Sequence, residues 1–433
     1  MTVLAFAIGV VVLVVGLAIS IALHEIGHLY PAKRFGVRVG QYMIGFGPTL
    51  WSRRIGETEY GFKLLPLGGY ISMAGMYPPS PTKSGGGRAG GGFFATMVQD
   101  ARVANDETLA GAERGHAFYE LPVLKRVVIM LGGPVMNLLL AIALFAIMFS
   151  GIGIQTATTT VAAVSECVLP GDASRTACEA TDPRSPAAAA GILPGDVLIA
   201  VDGTPVHTFA EASAIVQASP GVTLAVTVER DGAEQELRVT PIRAEREILG
   251  SDGRPTTAEV GFVGMTSAVD FVRQPIWSGP EAAIQYVGQV AGIVWQLPVK
   301  VYETAADLVT GAERDPDGPL SVVGAGRLAG EVAAVDAPIL NRVSAMLGLL
   351  GSLNIALFVF NLIPLLPLDG GHVVIALWEG LRRAWARMTR RPPPPPVDAT
   401  KLVPVTFVVV VALIVMGAVL ILADVFNPIS VLG

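Results

Sequence analysis

Four uncharged apolar runs dominate the pattern of hydrophobic and polar positions along the chain. Each reaches or exceeds the roughly 20 residues that a helix needs to cross a hydrocarbon core about 30 Å thick. The first run lacks a basic segment before it and a small-residue cleavage site after it, which favours a retained helix over a signal peptide. The pattern predicts an α-helical polytopic membrane protein with four transmembrane helices, over residues 3–23, 127–149, 343–368 and 402–423.

The segments between the apolar runs have other patterns. Residues 35–76 contain β-prone pieces separated by Gly-Phe-Gly-Pro and Pro-Leu-Gly-Gly, which predicts a membrane-associated, re-entrant β-rich segment. We predict the following order: a first transmembrane helix at 1–34, the re-entrant segment at 35–76, a flexible cytoplasmic loop at 77–122, a second transmembrane helix at 123–150, a soluble insert at 157–262, an amphipathic extracytoplasmic connector at 276–340, a third transmembrane helix at 343–377, a basic and proline-rich cytoplasmic loop at 378–401, and a fourth transmembrane helix at 402–424.

The soluble insert has the alternation of β-strands and one hairpin signal, Asp231-Gly232. Its stretch SPAAAAGILPGDVLIAVDGTPV reads as a short helix, a turn, a strand and a second turn, an order that resembles a PDZ domain. We therefore expect an inserted extracytoplasmic α/β PDZ domain. Cys167 and Cys178 flank an insertion in this domain, and a disulfide is favoured there, with two free thiols as the alternative.

Composition and charge support a membrane protein and suggest its orientation. Only 15% of the 433 residues are charged, against about 25% in soluble domains. The net charge of −6 argues against nucleic acid as a partner. Lys and Arg flank the first two spans at 33–38 and 125–126 and recur at 382–401, whereas residues 150–172 contain none. By the positive-inside rule, the amino terminus, the 150–342 segment and the carboxyl terminus are predicted to be extracytoplasmic.

A metal-binding motif follows directly on the first apolar run. His24, Glu25 and His28 form H-E-x-x-H, and on a helix the two histidines lie one turn apart on one face. Both imidazoles can then bind one Zn²⁺, with Glu25 as a general base. The motif is short, and two histidines at a membrane interface without a metal are the alternative. Its place at the end of a predicted span favours function, because ionisable groups at membrane depth are costly.

A catalytic zinc site needs a third protein ligand. The stretch NLIPLLPLDGGH, residues 361–372, places Asp369 at the cytoplasmic end of the third predicted span, the depth predicted for the two histidines. Pro364 and Pro367 remove backbone donors and break that helix, which predicts an unwound, strand-like segment able to pair with a substrate backbone. Asp369 is the preferred third ligand, and His372 is the alternative.

One amide lies inside the second predicted span. Asn137 follows Gly132, Gly133 and Pro134 by about one helical turn. Small residues allow close helix packing, and a buried amide needs a hydrogen-bond partner. Packing with an interhelical hydrogen bond is favoured for Asn137, and a role in binding substrate or lining a path for water is the alternative.

These motifs in this order resemble the site-2 proteases, and most closely the bacterial branch with an extracytoplasmic PDZ domain. The residues that carry the resemblance are HEIGH, GFGP, PLGGY, GGPVMN and NLIPLLPLDGGH, and together they cover nearly the whole chain. The resemblance implies a zinc intramembrane metalloprotease with one Zn²⁺ per chain. It implies His24, His28 and Asp369 as ligands and Glu25 as the catalytic acid and base.

The resemblance also implies substrate contacts and partners. It implies that the PLGGY segment presents substrate strands, through Gly68 and Gly69, and that Asn361, Pro364 and Pro367 belong to a second substrate-binding segment. The implied substrates are single-span membrane proteins such as anti-sigma factors, or remnant signal peptides, in regulated intramembrane proteolysis. They would arrive as products of an upstream site-1-type protease, with the PDZ domain as a size filter or tail reader. The implied location is the bacterial plasma membrane, with the zinc site toward the cytoplasm.

Two other functions are compatible with the same motifs. The first is a membrane-tethered zinc peptidase that acts on soluble peptides and does not need Asn361 or the broken helix. The second is a non-catalytic PDZ membrane scaffold or metal-transport protein, in which the H-E-x-x-H motif does not support hydrolysis.

Overall fold

The structure is a computed structural model, and it describes residues 3–79, 93–109, 116–168, 177–179, 182–249, 255–315 and 318–429. The chain forms two compact units, a membrane unit of Met1–Gly151 with Pro275–Gly433 and an inserted unit of Ile152–Gln274. The described helices are α1 (Val3–Arg34), α2 (Phe93–Leu109), α3 (Val123–Ala146), α4 (Pro186–Ala190), α5 (Phe209–Ala218), α6 (Ser278–Thr310), α7 (Val322–Ala334), α8 (Ile339–Asn361), α9 (Asp369–Met388) and α10 (Val403–Phe426).

The described strands form three separate sheets. The strands are β1 (Val39–Ile55), β2 (Thr58–Met73), β3 (Ile154–Val164), β4 (Val197–Val201), β5 (Thr204–Pro205), β6 (Leu224–Arg230), β7 (Ala233–Val239), β8 (Ile242–Leu249), β9 (Pro255–Phe262) and β10 (Met265–Val272). β1 and β2 form a hairpin in the membrane unit, β8 and β9 form another in the inserted unit, and the remaining strands form one sheet.

Four helices are long and apolar enough to cross a membrane, as the hydropathy pattern predicted. They are Val3–Arg34, Val123–Ile152, Ile339–Asn361 and Ala399–Phe426. Many of their large apolar side chains are exposed at the protein surface, Val3, Leu139 and Val408 among them. Such a surface is stable when hydrocarbon chains cover it. The chain is therefore a polytopic membrane protein, and α6, within the predicted connector, does not meet the requirements for a span.

Three predicted boundaries are wrong in the described residues. The third predicted helix, 343–377, is two helices, because α8 ends at Asn361 and α9 begins at Asp369. The predicted loop 378–401 contains the second half of α9, whose amphipathic pattern continues to Met388. The predicted flexible loop 77–122 contains α2, and its residues 80–92 and 110–115 lie outside the described part of the chain.

The β1–β2 hairpin packs against the carboxyl-terminal half of α1. The two strands are antiparallel, and Ile44 pairs with Gly69 near the middle of the hairpin. Tyr42 anchors the hairpin through its hydroxyl, which donates to the Ala22 carbonyl 2.9 Å away. Its apolar residues Val39, Tyr42 and Ile44 join a core with Leu29 of α1 and Ile129 of α3. This packing holds the predicted β-rich segment beside the histidine motif.

The inserted unit has its own core and one disulfide. Its sheet has the order β10-β3-β4-β6-β7, with β5 paired to β4. α4 and α5 flank the sheet, and a buried apolar cluster that includes Val161, Leu198 and Val226 fills the space between them. Cys167 and Cys178 form the favoured disulfide.

Candidate metal centre

The metal centre begins with two imidazoles on α1. His24 and His28 are one helical turn apart, and their Nε2 atoms lie 3.2 Å from each other. Both side chains are shielded from solvent, with exposed fractions of 12% and 6%. The sequence spacing therefore produces two converging nitrogen donors, as expected for residues i and i+4 of a helix.

Asp369 supplies a third donor from a different helix. It is the first residue of α9, and its Oδ2 lies 3.4 Å from the Nε2 atoms of both His24 and His28. The helix amino terminus favours a carboxylate there, because it carries unpaired backbone N–H groups and the positive end of the helix dipole. Within the described part of the chain, one group of side chains brings ligand atoms close enough together to hold a metal ion, and it consists of His24, His28 and Asp369.

The dimensions of this triangle fit zinc. In a tetrahedral site with bonds of about 2.0–2.1 Å, neighbouring donor atoms lie about 3.3 Å apart. The three observed edges are 3.2, 3.4 and 3.4 Å. Within the described residues, Asp369 Oδ2 is also a buried oxygen without a hydrogen-bond partner, which a cation would satisfy. Two imidazoles and one carboxylate leave a fourth position open, as in catalytic zinc sites.

The ring of His28 is fixed from behind. Its Nδ1 donates to the Ile129 carbonyl of α3 at 2.7 Å, which leaves Nε2 unprotonated and directed into the triangle. α3 can come this close because glycine lines its surface. A Cβ at Gly133 would overlap the His28 ring, and a Cβ at Gly27 would overlap the Gly132 carbonyl. The Gly-Gly pair of α3 thus positions a metal ligand on α1.

The ring of His24 is held by Asn137. The Asn137 Nδ2 atom lies 3.2 Å from His24 Nδ1, and the Asn137 side chain is 1% exposed. If His24 Nε2 binds a metal, His24 Nδ1 carries the proton and must donate it. A flip of the Asn137 amide, which exchanges Nδ2 and Oδ1, turns Oδ1 toward the ring as the acceptor and satisfies both groups. Asn137 lies behind a candidate metal ligand and is closed to solvent, which disfavours the alternative role in substrate contact and supports the interhelical hydrogen bond.

Glu25 lies against the β1–β2 hairpin. Its side chain is 8% exposed and faces Gly69, where a Cβ would come within 2.9 Å of the Glu25 Cγ. The neighbouring Gly68 has a φ of +143°, and a Cβ there would overlap the ring of Phe46. Gly69 of PLGGY therefore allows the β2 backbone to approach the glutamate of the motif. Gly69 is beside the metal centre, and Gly68 faces β1.

The segment between α8 and α9 has turns and no strand. Pro364 and Pro367 are exposed, and Leu366–Pro367 is a cis peptide. Its backbone bonds are local, from Leu365 N to Ile363 O and from Leu368 N to Leu365 O. The predicted strand-like conformation is therefore wrong, since the chain folds on itself here. Asn361 donates to the Leu357 carbonyl of its own helix and is partly exposed.

His372 is separate from the triangle. It is on the first turn of α9, where its ring stacks on Tyr77 with 6.2 Å between centroids. Burial of the ring lowers the pKa of His372 to about 4, which keeps it neutral at physiological pH. It does not join the donor group of His24, His28 and Asp369. The geometry therefore favours Asp369 over the alternative ligand.

Two contacts near the centre were absent from the sequence-based prediction. The Ile129 carbonyl is a backbone group and has no sequence signal. Asn354 of α8 donates to the Ser20 hydroxyl at 2.9 Å, one helical turn before His24 on α1. Both side chains are buried, at 1% and 2% exposure. Ser20 and Asn354 are polar residues within two predicted spans, and this was the sequence signal from which their hydrogen bond could have been inferred.

Comparison with known proteins agrees with these features. The sequence model of Peptidase family M50 matches residues 12–391. The chain is 35% identical, over 98% of each protein, to the zinc metalloprotease Rip1 of Mycobacterium bovis and to that of Mycobacterium tuberculosis. It is 33% identical to the zinc metalloprotease Rip1 of Mycolicibacterium smegmatis, over 98% of this chain and 99% of the relative.

Proposed function

The chain belongs to Peptidase family M50, and from that premise we propose that it is a zinc-dependent endopeptidase that cleaves transmembrane segments of other membrane proteins. The observation that carries the proposal is the triangle of His24, His28 and Asp369, whose edges suit tetrahedral zinc. The triangle is built on helices of a unit with four candidate spans. A hydrolytic site on such helices favours substrates that are themselves in the membrane.

His24, His28 and Asp369 would hold one Zn²⁺. When bound, zinc supplies a Lewis acid that polarises a peptide carbonyl and makes water a better nucleophile. Asn137 and the Ile129 carbonyl orient the two imidazoles with their Nε2 lone pairs toward the ion. The Glu25 carboxylate accepts a proton from the attacking water and transfers it to the leaving amide nitrogen.

The backbone around the site supports substrate binding in an extended form. A substrate helix must unwind before its peptide bond can reach the metal, and its freed backbone groups then need partners. The β1–β2 hairpin is two-stranded in the described residues, so it offers open edges for strand addition beside Glu25. We propose that Gly69 lies beside the bound substrate strand, with Gly68 shaping the hairpin. Asn361, at the end of α8, and Pro364 and Pro367, in the turns that follow, would also contact the substrate.

We propose further that the inserted unit is a PDZ domain that selects substrates. A cavity of about 240 Å³ lies between α5 and the β9–β10 turn, lined by residues that include Phe209, Val216 and Gly261. A cleft between a helix and a strand suits the end of an extended peptide. The expected substrates are single-span proteins such as anti-sigma factors, or remnant signal peptides, shortened first by a site-1-type protease.

The proposed orientation follows the distribution of basic residues. The amino terminus, the inserted unit and the carboxyl terminus would be extracytoplasmic, and the metal centre would lie toward the cytoplasm of a bacterial cell. The main support is the group of arginines in and directly after α9, together with the basic residues at the end of α1.

A reporter with a single spanning helix tests the activity. We expect the wild type to cleave it within the span, and Glu25→Gln to leave it intact while still binding zinc. Equal cleavage by both proteins would contradict the peptidase function. Cleavage restricted to a soluble peptide would favour a membrane-tethered peptidase, and normal cellular function of Glu25→Gln would favour a non-catalytic scaffold.

Metal analysis of two variants tests the ligand set. Asp369→Ala removes a vertex of the triangle and is expected to lose zinc, whereas His372→Ala is expected to retain about one ion per chain. The reverse result would make His372 the third ligand. Because this measurement does not need a substrate, it separates failure of the metal site from failure to identify a substrate.

A further inference from the structure

α9 connects the metal centre to an exposed amphipathic surface. The helix begins at Asp369, and Trp378 follows about 14 Å farther along its axis. One face of α9 is buried and includes Ala376, Glu379 and Ala386. The Glu379 carboxylate on this face accepts from Arg126 of α3 at 2.8 Å, which fixes the rotation of α9 about its axis.

The opposite face of α9 is apolar and exposed. Trp378, Leu381 and Trp385 are spaced i, i+3 and i+7, and their exposed fractions are 56%, 59% and 62%. Exposure of two indole rings on one face would be unfavourable in water. Tryptophan concentrates where membrane meets water, because its ring is apolar and its N–H is polar.

The chain after α9 folds back to make a cleft on this face. Arg390 has a left-handed conformation, with a φ of +52°, and the Arg391 N–H donates to the Ala386 carbonyl at 2.8 Å. This pattern of bonds closes the helix and reverses the chain. The resulting cleft has a volume of about 590 Å³. Its lining comprises Trp378, Leu381, Arg382, Trp385, Ala386, Arg391, Pro392 and Pro394.

Two arginines are among the residues that line the apolar cleft. Five arginines occur between positions 382 and 391, and one of them, Arg383, pairs with Glu379. In the part of the chain that the structure describes, Arg382 and Arg391 have no acidic partner, and both line the cleft. A cleft lined by large apolar side chains and two arginines matches a ligand with a hydrocarbon chain and an anionic head.

We propose that this cleft binds one anionic phospholipid. The acyl chain packs on Trp378, Leu381 and Trp385, and the phosphate lies between Arg382 and Arg391. Guanidinium groups form bidentate hydrogen bonds with phosphate, and basic segments next to spanning helices attract anionic lipids. The site is distinct from the metal centre and does not depend on peptidase activity.

Quenching of tryptophan fluorescence by brominated lipids tests the proposal in the full-length protein. Replacing Trp51, Trp277 and Trp295 with phenylalanine leaves Trp378 and Trp385 as the only tryptophans. In detergent micelles titrated with lipid, we expect brominated phosphatidylglycerol to quench at lower mole fraction than brominated phosphatidylcholine. In this background, Arg382→Gln with Arg391→Gln is expected to weaken the phosphatidylglycerol response about tenfold, because two charge-assisted contacts are lost.

A matched pair of substitutions controls for charge alone. Arg34→Gln with Arg387→Gln removes the same charge at exposed positions outside the cleft and is expected to leave the quenching curve unchanged. Zinc content equal to that of the parent shows that each variant is folded. Equal quenching by the two lipids, or equal effects of the two double variants, would overturn the proposal. Reversal of quenching by millimolar inorganic phosphate would also overturn it, since the site would then bind free phosphate.

Discussion

At the residue scale, the orientation of two imidazoles is the main determinant of the metal centre. His28 has a fixed backbone acceptor in the Ile129 carbonyl, whereas His24 depends on a side chain, Asn137. Outer partners of metal-binding histidines set the tautomer and raise ligand basicity, and their loss typically reduces metal affinity 10- to 100-fold. We therefore expect Asn137 to contribute to metal affinity through its contact with His24.

We expect Asn137→Leu to lower zinc affinity by about 10- to 100-fold without unfolding the protein, because the leucine has a similar volume and removes the acceptor. Competition with a zinc chelator measures the change. Asn361→Ala is the control, since that amide bonds within its own helix and is expected to leave zinc affinity unchanged. Equal affinity of wild type and Asn137→Leu would show that Asn137 serves packing alone.

The sequence predicted that His24, His28 and Asp369 come together, and the structure brings them together, but the sequence indicated only part of the role of Asn137. Helical periodicity places His24 and His28 on one face, and the charge topology brings Asp369 to the same depth. An amide inside a span indicates a hydrogen bond but not its partner. The partner depends on how α1 and α3 are rotated, which hydropathy does not encode.

At the element scale, the contact between α1 and α3 depends on glycine. Gly27 and Gly132 face each other so closely that a Cβ on either would overlap the backbone of the other helix. Close approach of this kind gives van der Waals contact, which is a main source of helix association in a bilayer. The same approach brings the Ile129 carbonyl to His28.

Gly27→Ala is expected to destabilise the membrane unit by about 2 kcal/mol, because the added methyl must displace backbone. Loss of zinc is expected to accompany it, since α3 orients His28. Gly292→Ala on α6 is the matched control. A Cβ there meets nothing within 4 Å, so the change is expected to be neutral or to stabilise by about 0.5–1 kcal/mol. Thermal unfolding in detergent compares the two, and similar transitions would contradict the close contact.

The broken third span shows where hydropathy fails. Residues 343–368 are uncharged and predominantly apolar, so composition extends the helix beyond Asn361. Pro364 and Pro367 end it, and Gly370 and Gly371 pack so tightly on the backbone of 362–366 that side chains would not fit. The sequence predicted a break, but the turns in place of a strand arise from this tertiary packing.

The inserted unit has a buried ion pair that makes its stability depend on pH. Asp196 is 1% exposed and accepts two hydrogen bonds from Arg230, at 2.7 and 2.8 Å. The hydrogen bonds from Arg230 lower the pKa of Asp196. Because the folded pKa is below the unfolded value of about 3.9, the stabilisation is complete above that value and is lost as pH falls through the folded pKa.

Urea unfolding of the isolated unit Ile152–Gln274 tests this dependence. We expect Asp196→Asn to be less stable than wild type at pH 7. The difference becomes smaller below about pH 4, because the Asp196 carboxylate of the unfolded wild type protonates there before that of the folded protein. Glu236→Gln changes the same charge on an exposed strand position and is expected to track the wild type at both pH values. A constant gap between Asp196→Asn and wild type at all pH values would exclude Asp196 titration as its source.

At the scale of the whole molecule, the proposed orientation links charge distribution to the location of chemistry. The basic end of α1 carries Lys33 and Arg34 only a few residues after His28. The arginines of α9 follow Asp369 on the same helix. The proposed cytoplasmic location of both basic segments therefore predicts a metal centre near the cytoplasmic surface.

Labelling of single cysteines tests this orientation. The native Cys167 and Cys178 form a disulfide and do not react with maleimides without reductant. We expect a membrane-impermeant maleimide to label Glu234→Cys, in β7 of the inserted unit, on intact spheroplasts. Ala384→Cys, in α9, is expected to react only after permeabilisation, since the positive-inside rule keeps its neighbouring arginines in the cytoplasm. Both positions are exposed, so accessibility within the protein does not separate them. Reaction of Ala384→Cys in intact spheroplasts, with Glu234→Cys protected, would invert the topology and place the metal centre toward the outer surface.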